Sequence, residues 1–120
     1  MRSLTTSADL DALDGQRVRV EGIYRKVRVT RRPQVTPIEL DKPGTAQVAT
    51  DDGVALMLEV YHGPKGIRPV EELQRFHERR VIVIGTAHRF TPSAVAPDGA
   101  IMQTMTGPYL GDIESITLAE

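Results

Sequence analysis

The first strongly patterned segment begins at Gln16, where apolar and charged residues alternate. Val18 and Val20 are separated by charged side chains, and this period of two is typical of a half-buried β-strand. Beyond Gly22 the alternation resumes with its apolar positions moved from even to odd residue numbers. A β-bulge or a sharp bend at a glycine produces such a change of register. We therefore predict one long first strand, interrupted at Gly22.

A hairpin is predicted in the middle of the chain. The strand-like segments 45–50 and 54–61 flank Asp51-Asp52-Gly53, and Gly53 can adopt the left-handed conformation that a three-residue hairpin loop requires.

Two helical patterns are short. Pro69 suits the first turn of a helix, and Leu73 and Phe76 lie three residues apart on one apolar stripe, which predicts a helix of about two turns. Residues 1–14 predict a single helical turn that Gly15 ends.

The second half of the chain predicts two more strands separated by a loop. Segment 80–90 is apolar at successive positions, which indicates a central strand, and segment 112–118 alternates imperfectly as a closing strand. Prolines mark 31–44 and 91–111 as long loops, the second with a possible edge strand at 101–105.

The element order is therefore strand, loop, hairpin, helix, strand, loop, strand. A five-stranded Greek-key barrel has this order, with its first strand shared by two sheets and its helix closing one end. Gly22 would supply the bend in the first strand, and Leu73 and Phe76 would plug the barrel. The predicted fold class is all-β, a small five-stranded Greek-key barrel with one short helix between strands 3 and 4.

Two stretches resemble a known superfamily. Residues 10–22 read Leu-Asp-Ala-Leu-Asp-Gly-Gln-Arg-Val-Arg-Val-Glu-Gly, and residues 79–85 read Arg-Arg-Val-Ile-Val-Ile-Gly. They resemble the opening and the fourth strand of many bacterial domains with the oligonucleotide/oligosaccharide-binding (OB) fold, although Glu78 replaces a helix-ending glycine. The chain is also similar to small uncharacterised bacterial proteins of this type. The resemblance implies an OB-like barrel and no particular activity; an SH3-like barrel is the alternative, and this helix would be unexpected in it.

Composition narrows the class of protein. The chain has 120 residues, with 15 Lys and Arg against 16 Asp and Glu, which suits one domain spanning residues 1–120. The absence of cysteine excludes disulfides, thiolate metal ligands and a cysteine nucleophile, and is compatible with a reducing cytoplasm. No signal peptide, lipidation motif or membrane-spanning stretch is present, so we expect a cytoplasmic protein without a membrane partner.

The net charge of −1 hides a local excess of positive charge. Between residues 17 and 32 there are seven basic residues and one acid, Glu21. In an OB domain this strand and the following loop border the usual ligand groove, where cations contact phosphates and tyrosines stack on bases. The candidate nucleic-acid-binding residues are Arg17, Arg19, Tyr24, Arg25, Lys26, Arg28, Arg31, Arg32 and Tyr61. The alternative is that these arginines solubilise a sheet face and pair with the acidic remainder, which the scarcity of aromatic residues favours.

Catalytic signatures are absent from the sequence. His62, His77 and His88 lack metal-ligand spacing, and the acidic pairs 51–52 and 71–72 suit a turn and a helix start. There is no phosphate-binding glycine motif and no serine nucleophile motif. We expect no enzyme activity, no metal and no cofactor.

The function expected is a non-enzymatic OB-like binding module. Its ligand would be single-stranded nucleic acid, held in a groove made by the first strand, its loop and the hairpin. The alternative is a protein-interaction or assembly domain, since long loops on a rigid barrel often form interfaces. A homodimer paired through strand edges is a third possibility, and Tyr109 is expected to pack over the barrel mouth.

Overall fold

The computed structural model describes residues 2–27, 39–60, 64–90 and 107–119. The elements in chain order are β1 (Arg2–Ser3), α1 (Ser7–Ala12), β2 (Arg17–Lys26), β3 (Ala46–Ala49), β4 (Ala55–Leu58), a 3-10 turn (Pro64–Gly66), α2 (Val70–Phe76), β5 (Arg79–His88) and β6 (Tyr109–Leu118). The hairpin, the second helix and the last two strands are thereby confirmed. Most of the two predicted loops, and the possible edge strand at 101–105, lie outside the described residues.

Five strands close into a barrel in the order β2, β3, β4, β6, β5 and back to β2. Neighbouring strands are antiparallel except β4 and β6, which are parallel. Helix α2 lies between the third and fourth barrel strands. The predicted fold class, a small all-β barrel with one short helix at this position, is confirmed, and the closed five-stranded barrel is consistent with an OB-like fold.

The first barrel strand differs from its prediction at Gly22. Burial alternates without a break through Val18, Val20, Gly22, Tyr24 and Lys26, so the inward register does not change, and pairing with β5 is continuous over residues 17–24. The predicted register change was wrong because the polar tips of Tyr24 and Lys26 concealed two inward-facing side chains.

Gly22 is required for a different reason. A Cβ atom on Gly22 would lie 2.2 Å from the carbonyl oxygen of Ala49, on the neighbouring strand β3. Only a glycine therefore permits β3 to pass this closely, at the point where β2 begins to pair with β3 on one side while it still pairs with β5 on the other.

The irregularity in the barrel lies in β6. Its register against β5 shifts between Ile84 and Thr86, and Asp112 adopts a left-handed φ of 47°. The buried carboxylate of Glu59 accepts hydrogen bonds from the backbone N–H groups of Asp112 and Ile113, each at 3.2 Å. These two bonds hold the bulge, which explains the imperfect alternation of this segment in the sequence.

The N-terminal segment adds a strand that the sequence pattern does not show. Arg2 and Ser3 pair in parallel with Val18 and Arg19 of β2. Helix α1 follows and is capped by Thr6 through a capping box with Asp9.

The core inside the barrel is aliphatic, apart from Tyr24 and Phe76. Leu73 and Phe76 of α2 belong to it, as the plug prediction required. Among the described residues, no helix is both long enough and apolar enough to cross a membrane.

Candidate functional site

Two of the nine residues predicted to contact nucleic acid, Tyr24 and Lys26, are buried. Arg28, Arg31, Arg32 and Tyr61 lie outside the described residues. The other five lie on β2, where Tyr24 and Lys26 face inward and the three arginines face outward.

Tyr24 is part of the core. Its exposure is 0%, its ring centroid lies 5.8 Å from that of Phe76, and its hydroxyl donates a hydrogen bond of 2.6 Å to Oε2 of Glu72. Arg68 holds the same carboxylate in a fork, at 2.7 and 2.6 Å. Burial, and then the bond to Glu72, raise the pKa of Tyr24 well above its usual range. The expectation that Tyr24 stacks on bases is therefore wrong, because neither face of its ring is accessible.

Lys26 is buried as well. Its Nζ atom donates hydrogen bonds to the carbonyl oxygens of Glu39 and Lys42, the latter at 3.0 Å. Its backbone N–H donates to Nδ1 of His77 at 3.0 Å. Lys26 was predicted to contact nucleic acid, but its ammonium group instead holds the chain that leads into β3.

The three outward arginines of β2 each have an acidic partner. Arg25 forms a fork with Glu78 at 2.9 and 3.0 Å, and this pairing lowers the pKa of the Glu78 carboxyl. The other two pairs are longer: Arg19 with Glu21 at 3.7 Å, and Arg17 with Glu114 at 3.8 Å. Exposed pairs of this kind contribute little to stability, but they offset the positive charge that the sequence concentrates here.

A row of outward-facing side chains crosses all five barrel strands. Successive members are paired residues on adjacent strands. The row, which we call the outer row, consists of Arg25, Gln47, Met57, Tyr109 and His88.

The outer row extends from one long connection to the other. Arg25 lies next to the connection between β2 and β3, whereas His88 and Tyr109 begin and end the connection between β5 and β6. Arg25 also contacts Glu78, which lies just before the opposite end of β5 from His88. The outer row therefore begins beside one end of β5 and finishes at the other end. Such a displacement along the strand is expected because barrel strands are tilted and staggered.

Aromatic and cationic side chains gather at the β5 end of the outer row. The rings of His88 and Tyr109 are stacked, with centroids 4.6 Å apart and an angle of 15° between their planes. Arg89 and Phe90, which follow His88 in the chain, form a cation–π pair, with the guanidinium carbon 5.1 Å from the ring centroid. Phe90 is 66% exposed. We call these four residues the aromatic end.

The pattern of residues along the chain does not predict the aromatic end. The run from His88 to Phe90 was visible as the end of a strand, but its neighbour Tyr109 is distant in the sequence and joins it only through the β5–β6 pairing. Tyr109, expected over the barrel mouth, lies half-buried on the outer face, where its ring stands above Gly111. Burial raises the pKa of Tyr109, and the nearby carboxylate of Glu59 adds to the effect.

Described residues elsewhere on the surface line two further clefts. One, of about 420 Å³, separates α2 from β6, and a smaller polar one, of about 240 Å³, lies beside the hairpin turn. In the smaller cleft Arg80 is bound at 2.8 Å to Glu21 and in a fork to Asp51. In the parts of the chain that the structure describes, no three His, Asp or Glu side chains converge to ligate a metal.

Comparison with protein-family models, with curated proteins and with solved structures finds no match to this chain.

Proposed function

We propose that this chain is a non-enzymatic binding module of the OB-fold superfamily that contacts single-stranded nucleic acid at its aromatic end. The observation that carries the proposal is the exposed Phe90 under Arg89, beside the stacked rings of His88 and Tyr109. Membership of the superfamily is supported by the strand order, by the parallel pairing of β4 with β6, and by the position of α2.

The aromatic end suits nucleobases because every base has a π-face. Base–aromatic stacking contributes about 1–3 kcal/mol per base and tolerates any sequence. Phe90 is 66% exposed, and two residues before it, at the end of β5, the ring of His88 stacks on that of Tyr109. Together they provide places for one or two bases.

Arg89 is the cation best placed to meet a phosphate. It pairs with Asp11 at 3.0 Å, but both side chains are largely exposed, at 42% and 67%. An exposed pair of this kind is weak, so a phosphate can replace the carboxylate at little cost. Because the chain carries a net charge of −1, we expect few phosphate contacts and a shallow dependence of affinity on salt.

Fluorescence anisotropy with labelled single-stranded DNA and RNA of about 15 nucleotides tests the proposal. Replacing Phe90 by alanine should weaken binding by about 5- to 150-fold, the equivalent of 1–3 kcal/mol. Ile67→Ala is the matched control, because Ile67 is also an exposed apolar residue, at 52%, and lies in the turn before α2. Failure of the wild-type chain to bind either oligonucleotide at micromolar concentration, or equal affinity of the two variants, would refute the proposal.

A protein-interaction module is the second candidate. It is favoured by the acidic partners of Arg17, Arg19 and Arg25, which leave the first strand without a free cation among the described residues. Co-purification from the native cell distinguishes the two functions, since nucleic acid in the eluate supports the first and a stoichiometric protein supports the second.

A further inference from the structure

Strand β6 has an edge that no described strand covers. Its pairing with β4 is limited to Tyr109 and Leu110, whereas its pairing with β5 continues to Leu118. Beyond the bulge at Asp112, one side of β6 therefore has no strand partner within the described residues.

The hydrogen-bond pattern shows which backbone groups point toward this edge. The N–H of Ala119 donates to the carbonyl of Arg80 at 3.0 Å, so these two residues form a hydrogen-bonded pair. Hydrogen-bonded and non-hydrogen-bonded pairs alternate in an antiparallel ladder. The N–H and C=O groups of Ile116 and Leu118 consequently point away from β5, and no described residue bonds to them.

The edge forms one wall of the 420 Å³ cleft, and α2 forms the other. Ile113 and Ile116 are the half-buried apolar residues of the lining, and Arg75 lies over the Phe76 ring at 5.1 Å. An extended segment placed here would bond to β6 with its backbone and would pack alternate side chains between the sheet and the helix. A groove between a helix and an open strand edge has the shape that strand addition needs.

The charged residues that line the cleft indicate the charge of the extended segment that would bind there. Arg68 neutralises Glu72 within the cleft wall, and Arg75 is the remaining cation of the lining. Glu71 and Glu114 are exposed at the rim, so the lining carries three carboxylates, with Glu72, against two guanidinium groups. Carboxylates thus exceed free cations around the opening, which favours a basic ligand.

We propose that this cleft binds an extended, basic peptide segment of another protein, which adds to β6 as a further strand. The peptide alternates apolar and polar residues, its apolar side chains facing Ile113 and Ile116. The peptide N–H and C=O groups that face β6 bond to the backbone C=O and N–H groups of Ile116 and Leu118. This site is separate from the aromatic end, and either can fail without the other.

Amide hydrogen exchange followed by NMR tests the edge and the ligand in one experiment. In the free protein the amides of Ile116 and Leu118 should exchange rapidly, whereas those of Thr117 and Ala119, bonded to β5, should be protected. The probe is a capped peptide of about six residues that alternates valine and lysine. On binding it should slow exchange at Ile116 and Leu118 by at least about tenfold and leave Thr117 unchanged.

Two N-methylated forms of the probe provide the matched control. Backbone N–H groups of a strand point alternately to opposite edges, so methylation of one alternate set blocks bonding to β6 and methylation of the other set does not. One form should lose binding, and the other should keep it within about threefold of the parent peptide. Equal effects of the two methylation patterns would overturn the proposal.

Variants at Leu118 test the same bond from the protein side. Leu118→Pro removes an N–H that bonds to no described residue, and an edge position tolerates proline. It should weaken binding at least about tenfold, while Leu118→Ala, which keeps the N–H, should retain most of it. If the NMR chemical shifts of the protein amides do not change at about 1 mM of the peptide probe, the proposal is overturned. The proposal is also overturned if, without peptide, the amides of Ile116 and Leu118 exchange slowly and the particle has twice the mass of one chain. A second copy of the chain would then occupy the edge.

Discussion

The substitution Tyr24→Phe tests the role that the fold gives to Tyr24. It removes one oxygen atom from the core and leaves the aromatic ring, including its contact with Phe76, in place. The lost hydroxyl donates to Glu72 at 2.6 Å, and Arg68 continues to hold that carboxylate through two bonds. The change therefore deletes one charge-assisted hydrogen bond without leaving the carboxylate unpaired.

The expected loss of stability follows from that geometry. A hydrogen bond to a charged group contributes about 1.5–3 kcal/mol, and the void left by one hydroxyl is too small to add much. We expect the free energy of unfolding to fall by about 2 kcal/mol, which for a domain of this size lowers Tm by about 5–10 °C.

Urea unfolding followed by circular dichroism measures the change, because the chain has no tryptophan. Tyr109→Phe is the control, since the Tyr109 hydroxyl forms no hydrogen bond with the described residues, and it should change stability by less than about 0.5 kcal/mol. Tyr24→Phe should leave oligonucleotide binding unchanged. A loss of stability below about 0.5 kcal/mol would refute the structural role, and a selective loss of oligonucleotide binding would restore the role in stacking.

The pH dependence of Tyr24 provides a second measurement. Its pKa is raised in the folded state, whereas an unfolded tyrosine titrates near 10, so the folded state retains the proton at higher pH. The contribution of Tyr24 is therefore complete below pH 10 and decreases as the pH rises above it. The stability difference between the wild type and Tyr24→Phe should narrow above pH 10, and a difference that widens would contradict this sign.

Two further substitutions test the barrel. Gly22→Ala should destabilise the fold by about 3 kcal/mol or more, because the new Cβ would lie 2.2 Å from the Ala49 carbonyl oxygen and one strand would have to move. The control Gly53→Ala, in the exposed turn, should lower the free energy of unfolding by less, and equal losses in urea unfolding would contradict the steric argument. Glu59→Gln should lower the free energy of unfolding by about 1–3 kcal/mol and speed hydrogen exchange at Asp112 and Ile113, because the amide has one oxygen where the carboxylate uses two to accept these N–H groups. Unchanged exchange would show that the carboxylate does not hold the bulge.

Local patterns in the sequence are sufficient for much of the fold. The period of two identifies the barrel strands, Gly53 identifies the hairpin turn with its φ of 85°, and the spacing of Leu73 and Phe76 identifies the plug helix. Each signal depends on neighbouring residues, and the element order leaves few ways to close five strands. The short strand β1 is not visible in this way because two residues carry no periodicity.

The candidate sites depend on contacts between distant residues. Tyr24 reads as a stacking residue in the sequence, and only its neighbours across the barrel, Glu72 and Phe76, show that it is buried. Likewise, the positive charge of β2 is counted correctly from the sequence, but the partners that offset it, such as Glu78 and Glu114, come from strands and turns that pairing brings alongside.

The sequence by itself therefore determines which segments form the barrel strands, where the hairpin turns, and that the core is largely aliphatic without disulfides. The tertiary structure alone decides that Gly22 is a point of close approach, that His88 stacks on Tyr109, and that no described strand covers the edge of β6 beside α2. The physical reason is that periodicity and turn chemistry act over a few residues, whereas register and strand stagger determine which distant side chains meet.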